Sequence, residues 1–122
     1  MTYRRWVPPV MWAATILLIN SIPGSDLGVV APYSFPGADK MVHASLYAVL
    51  GWLGGKAAGG EDLSFAGAAG TLASIAMFGA ADEWHQQFVA GRAADPMDWL
   101  ADMLGAGTAL LLLVWRQRAQ TA

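Results

Sequence analysis

Four apolar stretches, at about residues 6–22, 40–58, 63–87 and 97–115, follow one another along a chain of 122 residues. Each is close to the roughly 20 residues that carry a helix across a bilayer. A chain this short has too much surface for its volume to hide so much apolar side chain within itself. Charged residues make up only 13%, about half the share of an average soluble domain, so the apolar excess has to face something other than water. The reading is an all-α integral membrane bundle of four transmembrane helices in up-down order, with residues 1–122 forming a single domain. A net charge of -2 excludes a nucleic-acid footprint, and the absence of cysteine excludes disulfides and thiol chemistry.

The run Trp6 to Ile22 follows Arg4 and Arg5 as a signal peptide would, but it ends in Asn20-Ser21-Ile22-Pro23-Gly24 with no small-x-small cleavage pattern. It is read as an uncleaved first helix, with Pro8 and Pro9 in the first turn, where a missing N–H does no harm. Pro23 to Gly37 is expected to be an exposed loop, and Gly59-Gly60-Glu61-Asp62 a break between the second and third spans. Pro96 pre-forms the start of the fourth span, and Arg116-Gln117-Arg118 closes it. Arg4, Arg5, Lys56, Arg116 and Arg118 fall on one side of the membrane and Lys40 and Arg92 on the other. The excess of basic residues marks the cytoplasmic side. Both termini are therefore expected in the cytoplasm, the chain being a multi-pass protein of the cytoplasmic (inner) membrane.

The polar residues inside these spans are patterned. Lys40, His43, Tyr47, Gly51 and Gly54 recur at spacings of three and four and so share one helix face. Glu83, Gln86 and Gln87 do so at the end of the third span, with Asp82 and His85 beside them, and Asp98, Asp102, Gly105 and Ala109 line one face of the fourth. By the topology above, three segments deliver ionisable groups to one level, near the extracytoplasmic surface. A charge facing hydrocarbon is costly, so these groups are expected to turn inward and pair, with small residues below them letting the helices approach closely. The steps Gly51, Gly55 and Gly59 could serve a dimer face or packing within the bundle.

Asp39-Lys40-x-x-His43-x-x-x-Tyr47-x-x-Leu50-Gly51, followed by Gly79-x-x-Asp82-Glu83-x-x-Gln86, Gly91-Arg92, Asp98 and Gly105, resembles the two motifs of the VanZ-like membrane protein family in order and spacing. The resemblance covers about Asp39 to Ala109. Ala90 stands where that family often has proline, Asp102 where asparagine is usual and Ala109 where a second glycine is common. The family is linked to resistance to the glycopeptide antibiotic teicoplanin, so the resemblance implies a role in the cell envelope.

The expected site is an outward-facing polar pocket lined by Asp39, Lys40, His43, Tyr47, Glu83, Gln86, Arg92 and Asp98. Its expected partners are membrane lipids, through a lipid headgroup, a lipid-linked saccharide such as a cell-wall precursor, or a glycopeptide. Lys40 and Arg92 would meet negative charge, a guanidinium fork suiting phosphate or carboxylate. A second reading is a small membrane enzyme acting on an envelope lipid, with Glu83, His43 or Asp98 as candidate catalytic groups. No nucleophile is placed for it, since Ser45 points away from His43 around the helix and Ser34 lies in the loop. A third reading is a scaffold whose polar network only sets helix register. Trp84, Trp99 and Tyr33 are read as interfacial anchors rather than a sugar-stacking platform. No cofactor is expected, and no metal site, because the His and carboxylate spacings match no metal-binding motif.

Overall fold

The computed structural model describes residues 2–26 and 35–122; residues 27–34, which include Tyr33 and Ser34 of the expected loop, lie outside the described residues. Among the described residues every regular element is a helix. A 3-10 turn, Thr2–Trp6, leads into α1, Val7–Asn20, followed by α2, Ala38–Gly59, α3, Phe65–Gln86, and α4, Pro96–Thr121.

Local chemistry accounts for most of these boundaries. Pro8 and Pro9 sit in the first turn of α1, where the ring removes an N–H that has no helical acceptor. Gly37, at φ 84°, turns the chain into α2, a backbone conformation that a side chain would oppose. Ser64 caps α3 by accepting from the Gly67 N–H at 3.0 Å, and Asp95 caps α4 by accepting from the Met97 N–H at 2.9 Å.

Among the described residues, two helices, α3 and α4, are long and apolar enough to cross a membrane by length and composition. The 14 residues of α1 rise only about 21 Å, and α2 reaches 22 residues with a hydropathy lowered by Lys40, His43, Lys56 and its glycines. One expectation needs correction: the fourth helix does not close at Arg116-Gln117-Arg118 but runs on to Thr121. Its extension is held by Gln117, whose Oε1 accepts from the Leu63 N–H at 2.7 Å and whose Nε2 donates to the Gly60 carbonyl at 2.8 Å. Arg116 lies over Trp52 and Arg118 over Phe65, 4.4 Å from the ring centre in the second case.

The two helices α2 and α4 form the spine. Gly51 lies so close to Ala106 that a Cβ would come within 2.7 Å of its carbonyl oxygen, and Gly105 touches the backbone of Ala44. A side chain at either glycine would force the backbones apart. The G-x-x-x-G steps are thus occupied inside the molecule, Gly55 packing on Leu110 and Leu113 and Gly59 on Leu63. Around the spine, α3 packs on α4 and α2, and α1 leans on α2, where the Trp12 indole donates to the Leu46 carbonyl at 2.8 Å. Between α1 and α3 runs an apolar groove of about 430 Å³ walled by Pro9, Val10 and Ala13 on one side and Gly67, Gly70 and Ser74 on the other.

The distribution of polarity is inverted relative to a water-soluble domain. Asn20, Asp82, Glu83, Gln86, Asp98 and Asp102 are buried, whereas Leu18 and Met77 are 73% and 75% exposed, with Met41, Leu104 and Leu111 similar. A soluble chain buries its large apolar side chains and seldom its carboxylates. Such a surface suits contact with lipid better than contact with water.

Candidate functional site

The ends of α1, α2 and α3, the loop after α3 and the start of α4 meet at one end of the bundle. On α2, Asp39, Lys40, His43 and Tyr47 climb one face. The Lys40 ammonium gathers three carboxylates from two segments: Asp39 at 3.0 Å, Asp95 at 2.8 Å, and Asp98. One turn further down, His43 Nδ1 shares a hydrogen bond of 2.9 Å with Asp102 Oδ1, while its Nε2 lies 3.7 Å from Asp98 Oδ2. A turn below that, the Tyr47 hydroxyl donates to Asp82 Oδ2 at 3.1 Å, and the Asn20 amide at the end of α1 donates to the same oxygen.

The loop after α3 completes the ring. Arg92 Nη2 donates to Gln86 Oε1 at 3.2 Å and to Asn20 Oδ1 at 3.4 Å. Gln86 Nε2 donates to Glu83 Oε1 at 3.2 Å, and Glu83 Oε2 accepts from the Asp95 backbone N–H at 2.9 Å. Among the described residues no carboxylate pairs with Arg92. Gly91, at φ 73°, bends the loop so that it lies on Gly24, whose N–H donates to the Ala90 carbonyl at 2.9 Å. Asp95, outside the helical spans, is held below the ordinary carboxylate range, first by its hydrogen bond to the Lys40 ammonium and then by the Met97 N–H.

A cleft of about 360 Å³ opens on this cluster, walled by Asp39, His43, Gln86, Arg92 and Asp98 with Phe35, Pro36, Gly37, Gly91 and Ala93. Its size suits a small headgroup or sugar. The structure brings together all eight residues expected at the pocket, but not in equal roles. Tyr47 and Glu83 lie beneath the cleft rather than on its wall, and Lys40 is already met by three carboxylates. Arg92 holds two amides. His43 finds its nearest carboxylate in Asp102, which was not among the expected pocket residues.

Four residues of the cluster were not among those expected in the pocket: Asn20, Asp82, Asp95 and Asp102. Asn20 looks like the polar end of an apolar run, and its partner lies 62 positions away. Asp82 does stand beside Glu83 in the helical pattern, the one signal that could have found it. Trp99 donates its indole N–H to the Ala76 carbonyl at 3.0 Å, so it ties α4 to α3. Trp84 is exposed and meets Phe88 edge to face. His85 makes no hydrogen bond to the cluster, and its Nδ1 is enclosed without a partner.

A family model described as VanZ/LLP1 matches residues 5–117. The match reaches back through α1, well beyond the segment from Asp39 to Ala109 that carries the motifs. No curated protein and no solved structure matches the chain.

Proposed function

The chain belongs to the VanZ/LLP1 family, and on that premise we propose that it is a four-span protein of the cytoplasmic membrane that recognises an anionic envelope component. The ligand class is a lipid headgroup, a lipid-linked saccharide or a glycopeptide. The observation that carries this reading is the guanidinium of Arg92. It sits on the wall of the cleft, held by the neutral amides of Asn20 and Gln86, in a cluster where the carboxylates belong to other partners. A guanidinium with no counter-charge among the described residues, beside an open cleft, suits phosphate or carboxylate. Asp39, His43, Gln86 and Asp98 on the same wall would receive hydroxyls and amides. In this reading the termini are cytoplasmic and the cleft opens outward, in line with the basic residues clustered at the opposite end of the bundle.

Lipid-resolved mass spectrometry of the purified protein beside Arg92→Ala tests the proposal. The expected outcome is loss of a co-purifying anionic lipid or glycolipid in the variant. Removing one charged hydrogen-bond donor costs about 1.5–3 kcal/mol, roughly a 10- to 100-fold weaker complex. Equal lipid profiles would count against it.

The hydrogen bond between His43 and Asp102 favours a second reading, an enzyme acting on such a lipid with His43 or Glu83 as base, since a carboxylate that orients an imidazole is the usual support of a general base. In that case Glu83→Gln should abolish turnover of the lipid while leaving it bound.

A further inference from the structure

We infer that His43, Glu83 and Asp102 form a binding site for a divalent transition-metal ion, beneath the cleft and independent of any headgroup bound at Arg92. The three come from three different helices, α2, α3 and α4, and each offers one ligand atom, all within 4.8 Å of one another. A bound ion at about 2.0–2.2 Å from each ligand would hold these atoms roughly 3–4 Å apart, so small side-chain rotations close the site. All three residues are buried.

Two further observations point to a missing cation. The first is an orphaned oxygen. Asp102 is fully buried and gives Oδ1 to His43, yet its Oδ2 is sealed from solvent with no hydrogen-bond partner. A buried carboxylate oxygen without a partner is expensive, and a metal ion is a partner it could serve. The second is the balance of charge. The cluster holds the carboxyl groups of Asp39, Asp82, Glu83, Asp95, Asp98 and Asp102, against the fixed positive charges of Lys40 and Arg92 alone. Lys40 is committed to Asp39, Asp95 and Asp98, and Arg92 to two amides. Among the described residues nothing fixed and positive pairs with Glu83 or Asp102, and buried negative charge in excess must be neutralised.

The surroundings are those of a supported site. Glu83 is oriented by the Asp95 N–H at 2.9 Å and by Gln86 at 3.2 Å. Hydrogen-bonded neighbours of this kind fix the direction of metal ligands. Asp98 Oδ2, 3.7 Å from His43 Nε2, stands close by without a hydrogen bond. One imidazole and two carboxylates, with no thiolate, suit Zn²⁺, Mn²⁺ or Fe²⁺ better than Cu⁺. His43 also lines the open cleft, which provides a way in from outside.

The test uses the full chain in detergent, stripped with a chelator, reloaded with Zn²⁺ or Mn²⁺, desalted and measured by elemental analysis. About one ion per chain is expected, as for a single site, with a melting temperature that rises with ion concentration. Glu83→Gln and His43→Gln should each bind at least about tenfold more weakly. Pulsed EPR of the Mn²⁺-loaded wild type should detect the nitrogen of one imidazole, and the signal should persist in His85→Gln. Wild-type protein that retains neither ion, or a Mn²⁺ signal without imidazole nitrogen, overturns the inference even if the ligand variants fail to fold. It is equally overturned if folded Glu83→Gln loads as fully as wild type, or if the nitrogen signal disappears in His85→Gln. Because loading is read on detergent-purified protein, its failure is distinct from failure of the lipid comparison on Arg92→Ala.

Discussion

At the scale of single residues, the site depends on side chains whose partners lie far away in sequence. Asn20 is the clearest case, because it brings α1 into a polar network that otherwise belongs to the other three helices. Replacing it with leucine leaves the buried Asp82 carboxylate with only the Tyr47 hydroxyl, a loss expected to cost about 1–3 kcal/mol. Thermal melting of Asn20→Leu in detergent checks this; an unchanged melting point would mean that α1 contributes only apolar surface. A second residue-scale prediction concerns acid. The Lys40 ammonium holds Asp95 below its ordinary pKa, so the stability this carboxylate contributes is present above about pH 4 and lost as the pH falls through the lowered value. Melting points measured from pH 6 to pH 3 should fall at the acid end, and Asp95→Asn should flatten part of that decline. The helical spacing in the sequence was enough to place Lys40, His43, Glu83, Gln86 and Asp98 on converging faces. It could not show that Asp102, one turn beyond Asp98, is the nearer partner of His43. That choice is made by how closely α2 and α4 approach, a tertiary distance with no local signature.

At the scale of the elements, glycine placement sets that approach. Gly105 lies against the backbone of Ala44, whereas a Cβ at Gly70 would meet nothing within 4 Å. Gly105→Ala is therefore expected to destabilise by about 1–3 kcal/mol. Gly70→Ala should be neutral or stabilising by up to about 1 kcal/mol, through helix propensity. Comparison of the two variants by unfolding in detergent separates close approach from a general intolerance of added volume. Both boundaries of α3 were legible to within two residues, because Ser64 caps its start and a polar loop follows its end. The end of α4 was not. Arg116, Gln117 and Arg118 read as a tail that meets water, but Gln117 finds two backbone partners in the turn between α2 and α3. That bond pair recovers the helix for another turn.

For the whole molecule, the inverted distribution of polarity is the dominant fact, and composition made it legible. The number of crossings was less so, since α1 is short and α2 is diluted by the polar residues that build the site. The proposed topology has a convenient test because the chain lacks cysteine. In intact cells an impermeant maleimide should label Ala94→Cys, in the loop between α3 and α4, and should reach Ala122→Cys only after lysis. The opposite pattern would invert the orientation, and labelling of both from outside would mean that α4 does not cross. The seam between α2 and α4 carries a consequence for how anything enters. Carbonyl groups of Ala44 and Ala106 already rest on glycine backbone, so those two helices have no slack to give and nothing to refill a gap if they part. The opposite wall is different: apart from the Asn20–Asp82 hydrogen bond at one end, α1 and α3 touch little, and a furrow separates them. Admission of a guest is therefore expected to swing α1 aside while the central pair stays still, which makes one side of the molecule a fixed jamb and the other a door.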